Sequence, residues 1–339
     1  MMHFLKAAFP ALILLLIAGA APAQDIHFSH MHRMPLHLNP ALTGMAPSDL
    51  RFGGIYRNQW RAVPVPYTTF GAFADTRLSQ PKLGPGFIGA GLQLLTDEAG
   101  DGQMRWVQGA ISLSYLVPIG NQFALGAGIQ GSFAQRNFEL GLLTFDEQFD
   151  GDQFNAASAN GEDARQNTLN YISFAAGANI RFKVPESRTQ FDLGSGVHHL
   201  TAPVSSFLED EDIRLSPRIS PYLLGSVQVH SKIDVLLRAW WQGQGSYREL
   251  VTGAGILYHL QTARQRELSL EFSILNRWKD ALIPQFGLRY RTWEAGMSYD
   301  INFSDFQKAT GRRGGPELYF QYFITRVQPP PLFKACPIF

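Results

Sequence analysis

The most constraining feature of this 339-residue chain is an alternation of apolar and small or polar residues that recurs along most of its length. In residues 122–133, Phe123, Leu125, Ala127 and Ile129 share one parity, and glycines, alanine, glutamines and serine occupy the other. Residues 267–274, 293–303 and 317–324 repeat the scheme. A period of two is typical of β-strands, and no stripe of period 3.6 extends over ten residues. The chain is therefore predicted to be all-β.

Fourteen strands are predicted, and most are 10 to 15 residues long, which suits a tilted strand that crosses a bilayer. The connections support this prediction, because the tight ones at 118–120, 184–187, 231 and 291–292 all follow even-numbered strands. The long connections 135–168 and 200–215 follow odd-numbered strands, as expected for extracellular loops. The predicted strands are 49–61, 67–77, 86–96, 105–117, 121–134, 169–183, 188–199, 216–230, 232–242, 247–260, 266–276, 280–290, 292–303 and 316–326.

The composition separates a membrane barrel from an extracellular sandwich or propeller. Charged residues make up 17% of the chain, while it contains 25 Phe, 11 Tyr, 6 Trp and 32 Gly. A soluble sheet of this size should carry charge on its wet face, but here that face is mostly Gly, Ser, Ala, Gln and Asn. A sheet in lipid has to close on itself, because lipid offers no hydrogen bonds. We therefore expect a transmembrane antiparallel β-barrel of about 14 strands, preceded by an irregular N-terminal segment.

The first 23 residues are predicted to be a secretory signal. Lys6 supplies the positive start, residues 11–18 the apolar middle, and Ala21-Pro22-Ala23 a small-x-small cleavage site. An N-terminal membrane anchor is the alternative, but Pro10, Gly19 and Pro22 leave the apolar run shorter than the roughly 20 residues that a span needs. The expected organisation is a signal peptide (1–23), a periplasmic or plug-like segment (24–48), an outer-membrane barrel (49–327) and a periplasmic tail (328–339).

Charge and cysteine content exclude several classes of function. The 29 basic and 28 acidic residues balance, whereas nucleic-acid binding requires a basic face. The single cysteine, Cys336, excludes a disulfide framework and a multi-cysteine zinc or iron–sulfur site.

Several short motifs occur in order at the two ends of the mature chain, namely Gln24-Asp25 with Phe28-Ser29, Asn39-Pro40-Ala41, Tyr56-Arg57-Asn58-Gln59-Trp60, Ser298-Tyr299-Asp300, Gly314-Gly315 with Glu317, and Cys336-Pro337-Ile338-Phe339. In this order they resemble the PorP/SprF family of the type IX secretion system. Any one of them is weak, but their order is fairly specific, and the middle of the chain matches only as barrel strands. His30-Met31 and Pro316 depart from the family pattern, which argues against assigning a particular partner.

The resemblance implies a non-enzymatic outer-membrane subunit that supports export or cell-surface attachment of large cargo proteins. The implied partners are outer-membrane lipid, type IX secretion lipoproteins including a peptidoglycan-binding one, and an exported cargo or adhesin with a C-terminal sorting domain. A passive outer-membrane channel or transporter for small solutes is the alternative. The two predict different behaviour, since a channel conducts in bilayers whereas a secretion subunit co-purifies with its partners.

The candidate partner-binding or barrel-seam residues come from these motifs. Pro40 cannot donate to a strand ladder and favours an extended Asn39, so residues 24–44 are expected to enter the barrel mouth or lie on the periplasmic rim. Arginine facing lipid is costly, so Arg57 is expected to face the lumen and pair with Glu294 or Glu317. The full candidate set is Asn39, Pro40, Tyr56, Arg57, Asn58, Gln59, Trp60, Gly314, Gly315 and Glu317.

Other constellations that could suggest chemistry are weaker. His27, His30, His32 and His37 have only Asp25 as an acidic neighbour, so a metal site is not expected. Ser195 shares a face with His199, near His198, but no third group that would orient a catalytic base is evident. The acidic loops 97–101, 146–152 and 209–212 are expected to be solvated tips rather than calcium sites. Gly126-Ala127-Gly128 lies inside a strand, which excludes a phosphate-binding loop. We expect no catalytic site and no cofactor.

Overall fold

The computed structural model describes residues 25–59, 67–79, 86–100, 102–149, 151–155, 158, 167–208, 210–262, 266–304 and 313–325. The predicted signal peptide, Trp60, the tail 328–339 and Cys336 lie outside the described residues.

Fourteen strands follow one another along the chain. No predicted strand end differs from the observed one by more than three residues. The strands are β1 (Leu50–Gln59), β2 (Tyr67–Ser79), β3 (Phe87–Ala99), β4 (Met104–Ile119), β5 (Phe123–Asn137), β6 (Thr168–Lys183), β7 (Gln190–His198), β8 (Arg218–His230), β9 (Ile233–Gln244), β10 (Tyr247–Gln261), β11 (Leu268–Arg277), β12 (Ala281–Tyr290), β13 (Trp293–Asn302) and β14 (Arg313–Ile324).

Each strand pairs with its neighbour in sequence, and β1 pairs antiparallel with β14, so the sheet closes into a barrel. The β1–β14 seam runs from Leu50 opposite Ile324 to Arg57 opposite Glu317. The prediction of a 14-stranded antiparallel barrel is confirmed. The barrel end at which β1 begins is called the lower end here, and the end at which β1 finishes is called the upper end.

The connections differ between the two ends. At the lower end they span two to seven residues, whereas the upper end carries the long connections 138–167 and 199–217. The upper end also has tight turns, at 245–246 and 278–280. The prediction that long connections follow odd-numbered strands is confirmed for the two longest, but several upper connections are as short as the lower ones.

The alternation places large apolar residues on the outside of the barrel. Leu92, Ile111, Ile129 and Ile172 on β3 to β6 are each about 60% exposed. The alternate positions, such as Ser112 and Gln130, face the lumen and are buried. Such an apolar outer surface is unfavourable in water and suits lipid. None of the helices in the described part of the chain has the length and apolar character to cross a membrane.

Residues 25–48 precede β1 and contain three short helical stretches. They form a short helix α1 (Pro35–Leu38) between two 3-10 turns, Met31–Arg33 and Pro40–Leu42. Proline stands first in α1 and in the second turn, where its missing N–H would lack a partner in any case. Two further 3-10 turns, Leu140–Leu142 and Asp146–Gln148, lie in the β5–β6 connection.

Candidate functional site: the segment inside the lumen

Residues 25–48, called the lumen segment below, lie inside the barrel. Five of its large apolar side chains have no exposed surface and pack against inward-facing residues of the barrel wall. Burial of apolar surface stabilises this arrangement by roughly 25 cal/mol per Å². The buried segment residues are Phe28, Met31, Met34, Leu36 and Leu38, and their wall partners in the same core include Leu95, Trp240, Leu275 and Ile283.

The segment runs from the upper end of the lumen to the lower end. At the top, the Asp25 N–H donates to Oε1 of Gln244, the last residue of β9, at 2.8 Å. At the bottom, the Gly44 N–H donates to Asp75 Oδ2 at 2.6 Å, and Arg181 donates to the Met45 carbonyl at 2.8 Å. The chain therefore descends through the barrel before it turns into β1.

The first polar anchor lies at the β1–β14 seam. The Glu317 carboxylate accepts the Ser29 N–H at 2.8 Å and the His30 N–H at 2.5 Å, and it lies 3.5 Å from Arg57 Nη1. Arg57 Nη2 donates to Asp300 Oδ2 at 2.8 Å. We call Ser29, His30, Arg57, Arg277, Asp300 and Glu317 the seam cluster.

Buried carboxylates hold the rest of the seam cluster together. Asp300 also accepts the Ser29 hydroxyl at 2.7 Å and Arg277 Nη1 at 2.9 Å. All of these side chains are almost fully buried, so each charge depends on its partners for compensation. The cluster thus unites residues of the lumen segment, β1, β11, β13 and β14.

Four of the sequence motifs meet in this cluster. Ser29 belongs to the N-terminal motif, Arg57 to the motif of the first strand, Asp300 to that of β13 and Glu317 to that of β14. They are separated by up to 288 positions in the sequence. The seam cluster is thus the place where residues of these four motifs contact one another.

A second polar anchor surrounds Arg33. Its guanidinium forms ion pairs with Glu271, at 2.8 Å, and with Glu294. Arg238 pairs with Glu271 from the other side, and Arg289 pairs with Glu294 at 2.5 Å. Arg33 is the only arginine among the described residues of the segment. It lies between two carboxylates of the wall, each of which also pairs with an arginine of the wall.

Asn39 holds the middle of the segment. Its Oδ1 accepts the Ala41 N–H at 2.9 Å, which caps the turn at Pro40, and its Nδ2 donates to the Ala178 carbonyl at 2.9 Å and to the Tyr222 hydroxyl at 3.0 Å. Asn39 has no exposed surface. The Asn39 amide is thus fully engaged in hydrogen bonds, because its oxygen accepts from the segment and its nitrogen donates twice to the barrel wall.

The wall opposite the anchors is lined with glycine. A Cβ added to Gly128 would come within 2.5 Å of Pro40 C and Ala41 N, and one on Gly196 within 2.6 Å of the Leu38 carbonyl oxygen. Gly89 and Gly177 face Thr43 and Asn39 even more closely. Backbone meets backbone along this side, so only glycine leaves room for the segment.

The motif of the first strand divides between the two faces as predicted. Tyr56 is 41% exposed and Asn58 lies on the same outer side, where its Nδ2 is 3.5 Å from the Tyr56 hydroxyl. Arg57 is buried in the lumen, and Gln59 faces the upper end of the interior. Trp60 lies outside the described residues.

The prediction for the partner of Arg57 was half right. Glu317 lies beside Arg57, whereas Glu294 pairs with Arg33 and Arg289. In the β13–β14 register, Glu294 is opposite Gln321, four residues below Glu317. Four residues of a strand span about 13 Å, so Glu294 is too far down the barrel to reach Arg57.

The two motif glycines shape the seam. Gly314 is buried, and a Cβ there would lie 2.5 Å from the Asn302 side-chain oxygen. Gly315 has a φ of +139°, a conformation that residues with a side chain rarely adopt, and it packs closely against the Asn58 carbonyl of β1. Both therefore serve the approach of β14 to its neighbours.

The four histidines of the segment point to different partners. His27 stacks on Tyr247, His30 Nδ1 lies 2.9 Å from Glu317 Oε1, and His37 Nε2 lies 2.9 Å from Arg218 Nη1. Among the described residues, no group of three or more His, Cys, Asp or Glu side chains could hold a metal ion.

Burial keeps several of these histidines neutral. Burial and the Arg218 guanidinium lower the pKa of His37 to about 3. Burial also lowers the pKa of His27, with Arg57 and Arg277 acting in the same direction, and the pKa of His32, near Arg238. His37 Nε2 lies 2.9 Å from Arg218 Nη1 and 3.0 Å from the Ile26 carbonyl oxygen. A neutral ring with an unprotonated Nε2 can accept from Arg218, whereas a protonated ring cannot.

Ser195 is not the serine that meets His199. The Ser195 hydroxyl donates to the Gly196 carbonyl, at 3.5 Å, whereas His199 lies beyond β7 with a φ of +57°. His199 Nδ1 is 2.9 Å from the Ser173 hydroxyl and its Nε2 is 2.7 Å from Asp25 Oδ2. Sequence reasoning missed this array because Asp25 and Ser173 lie on segments whose proximity only the closed barrel creates.

The Ser173–His199–Asp25 array resembles a nucleophile, base and acid in order, but it has no space for a substrate. The cavity beside it measures about 10 Å³, which holds at most one water molecule. We interpret the array as a set of buried hydrogen bonds that joins the start of the segment to β6 and to the end of β7.

Comparisons with known proteins agree with this architecture. The model of a family described as "Type IX secretion system membrane protein PorP/SprF" matches residues 20–321. No curated protein matches the chain in sequence.

Among solved structures, the chain is similar to the toluene transporter TbuX of Ralstonia pickettii (9% identity, TM-score 0.49, covering 84% of this chain and 92% of that one). It is also similar to the toluene transporter TodX of P. putida (11%, 0.47, 85% and 93%) and to BamA from Haemophilus ducreyi (6%, 0.41, 80% and 69%). No function is transferred from these three proteins.

Proposed function

Because this chain belongs to the PorP/SprF family of type IX secretion system membrane proteins, we propose that it is a non-enzymatic outer-membrane subunit of that system. In this role it supports the export or cell-surface attachment of large cargo proteins through partner binding. The family match over residues 20–321 is the observation that carries the proposal. The mature protein resides in the outer membrane after removal of residues 1–23.

The filled lumen supports a binding role over conduction. The lumen segment crosses the barrel from Gln244 at the top to Asp75 at the bottom, with ion pairs on one side and glycine contacts on the other. We propose that residues 24–48 act as a plug that keeps the barrel closed to small solutes. In this view Asn39, Pro40, Arg57 and Glu317 act by holding the plug, and partners bind elsewhere on the barrel rims.

Affinity purification from native membranes tests the partner role. We expect the tagged barrel to co-purify with secretion lipoproteins, including a peptidoglycan-binding one, or with an exported adhesin bearing a C-terminal sorting domain. In planar bilayers the same preparation should show little conductance. Stable single-channel conductance without any co-purifying secretion component would support a passive channel and contradict the proposal.

Deletion of residues 25–44 tests the plug. We expect the deletion to raise conductance or prevent barrel assembly, and to reduce surface display of cargo in either case. Assembly is measured by the heat-dependent shift in gel mobility that folded barrels show. Normal assembly, normal conductance and unchanged display would together rule out a plug.

A further inference from the structure

A cavity of about 540 Å³ lies at the upper end of the barrel, between the start of the lumen segment and strands β1 to β5. Its volume falls in the range of sites for small molecules. The polar side chains that reach it include Asp97 and Arg136. Its walls are mostly apolar and aromatic, formed by Ile26, Tyr67, Met104, Trp106, Phe138 and Leu143.

Three of the lining residues form one row across the sheet. Asp97 of β3 is opposite Trp106 of β4, and Trp106 is opposite Arg136 of β5. Neighbouring strands are about 4.8 Å apart, so the backbones of Asp97 and Arg136 are about 10 Å apart. The row therefore places a carboxylate and a guanidinium on either side of a buried indole.

The indole is held in place by the wall behind it. Trp106 is 7% exposed, and its Nε1 donates to the Tyr171 hydroxyl at 2.9 Å. Arg136 lies near the same tyrosine, with its guanidinium carbon 5.9 Å from the ring centroid. The floor of the cavity is thus preorganised and needs no rearrangement to receive a ligand.

Asp97 and Arg136, the two charged residues of the row, have fewer charged partners than the charged residues of the seam cluster. Asp97 Oδ1 accepts the Thr69 hydroxyl at 2.6 Å, and Arg136 Nη1 donates to the Ser205 hydroxyl at 3.4 Å. Within the part of the chain that the structure describes, neither forms an ion pair, unlike Arg57 and Asp300 of the seam cluster. Both therefore retain capacity for a charged ligand.

We propose that this cavity binds a short apolar peptide, of two or three residues, with a free amino and a free carboxyl terminus. An extended chain spans about 3.3–3.6 Å per residue, so two or three residues span about 7–11 Å, which is comparable with the separation of the two backbones and within reach of the side chains of Asp97 and Arg136. The ammonium is bound by Asp97 and the carboxylate by Arg136, whose planar guanidinium suits a carboxylate. The apolar side chains contact Trp106, Met104 and Phe138.

Other ligand classes fit the row less well. A hydrocarbon would leave Asp97 and Arg136 with only their hydroxyl partners Thr69 and Ser205, and a fatty acid would pair with Arg136 but not with Asp97. A zwitterion with an apolar body satisfies both charges together. The cavity adjoins the start of the lumen segment at Asp25, Ile26 and His27, but no residue of the seam cluster and no residue of the Arg33 anchor lines it. Peptide binding there does not depend on the secretion role.

Isothermal titration of the purified full-length mature barrel in detergent with the dipeptide Leu-Phe tests the proposal. We expect saturable binding, and we expect N-acetylation or C-amidation of the dipeptide to weaken it at least about tenfold, a loss of about 1.4 kcal/mol. Equal binding of the capped and free dipeptides, or no binding at millimolar concentration, would overturn the proposal.

Variants then assign each terminus to its residue. In Asp97→Asn, N-acetylation should no longer weaken binding while C-amidation still does, and Arg136→Gln should show the reverse. Glu98→Gln and Arg105→Gln are matched controls, because both side chains are exposed neighbours of the row in sequence. Gel mobility verifies that every variant is folded. If Asp97→Asn and Arg136→Gln retain the sensitivity of the wild type to both caps, the assignment is wrong.

Discussion

The lumen segment is held in two different ways on the two sides of the barrel. On the side of β11 to β14 and β1, buried ion pairs reach the segment, as in the seam cluster and around Arg33. On the side of β3 to β7, glycines such as Gly89 and Gly128 let backbone approach backbone. On the charged side, the donors of the segment have to meet the carboxylates of the wall. On the glycine side, the backbone of the segment has to fit the space that the glycines leave. Substitutions on the two sides should therefore fail for different reasons.

The largest effect is expected on the charged side, from Glu317→Ala. The substitution removes the acceptor of the Ser29 and His30 N–H groups, and it removes one of the two described carboxylates that pair with Arg57, the other being Asp300. Breaking a buried pair of this kind costs about 3–5 kcal/mol. Urea unfolding of the reconstituted barrel measures the loss, with the exposed Glu211→Ala as control. Equal stability of the two variants would show that the seam cluster does not hold the segment.

On the glycine side, Gly128→Ala should cost about 1–3 kcal/mol, because the new methyl group overlaps the backbone at Pro40 and Ala41. Gly109→Ala is the matched control, since a Cβ there meets nothing within 4 Å. Limited proteolysis of the lumen segment should be accelerated only in the first variant. Identical proteolysis in both variants would contradict a tight fit on this side.

Between the two sides, Tyr222→Phe should cost about 1 kcal/mol. The hydroxyl accepts from Asn39 at 3.0 Å and donates to Asn179 at 2.7 Å, and both bonds are lost without any change of shape. Tyr258→Phe, on the exposed surface of β10, serves as the control in the same unfolding assay. A loss no greater than that of the control would remove Asn39 from the set of anchors.

The smallest effect is expected from mild acidification, which tests the neutral His37. Its pKa is lowered from 6.5 in the unfolded chain to about 3 in the folded protein. The unfolded state therefore binds the proton first, and stability falls as the pH drops below 6.5 toward 3. His37→Gln, which keeps an acceptor for Arg218, should reduce the loss measured by thermal unfolding between pH 7.5 and 6. Parallel pH profiles would show that His37 does not contribute.

The sequence predicts the barrel wall better than its contents. Alternation decides which face a residue occupies, so parity alone assigns Arg57, Ser298 and Asp300 to the lumen. The position of a residue along the barrel axis depends on the register, which is set by the pairing of two strands and cannot be read from the alternation within one strand. For this reason Glu294 was a wrong partner for Arg57, although its inward direction was predictable.

The path of the lumen segment could not be predicted in the same way. Its residues follow no period, and Asn39 is anchored by Ala178 and Tyr222, which lie 139 and 183 positions away. The Asp25–His199–Ser173 array likewise joins three distant segments. Contacts of this kind arise from barrel closure. The sequence does contain one useful signal, the inward-facing carboxylates on β13 and β14. Buried carboxylates of this kind indicate where a segment inside the barrel can donate its backbone N–H groups.

Glu317 gives the seam a thermodynamic consequence. The same carboxylate binds Arg57 across the last strand pair and two N–H groups of the lumen segment. Closing the ring and seating the segment are therefore linked equilibria, and each must favour the other by the same free energy. A ring that closes without the segment leaves the buried Glu317 carboxylate without two of its donors at the joint. Strand β14 thus couples closure of the barrel to the presence of the segment, because one of its side chains serves both.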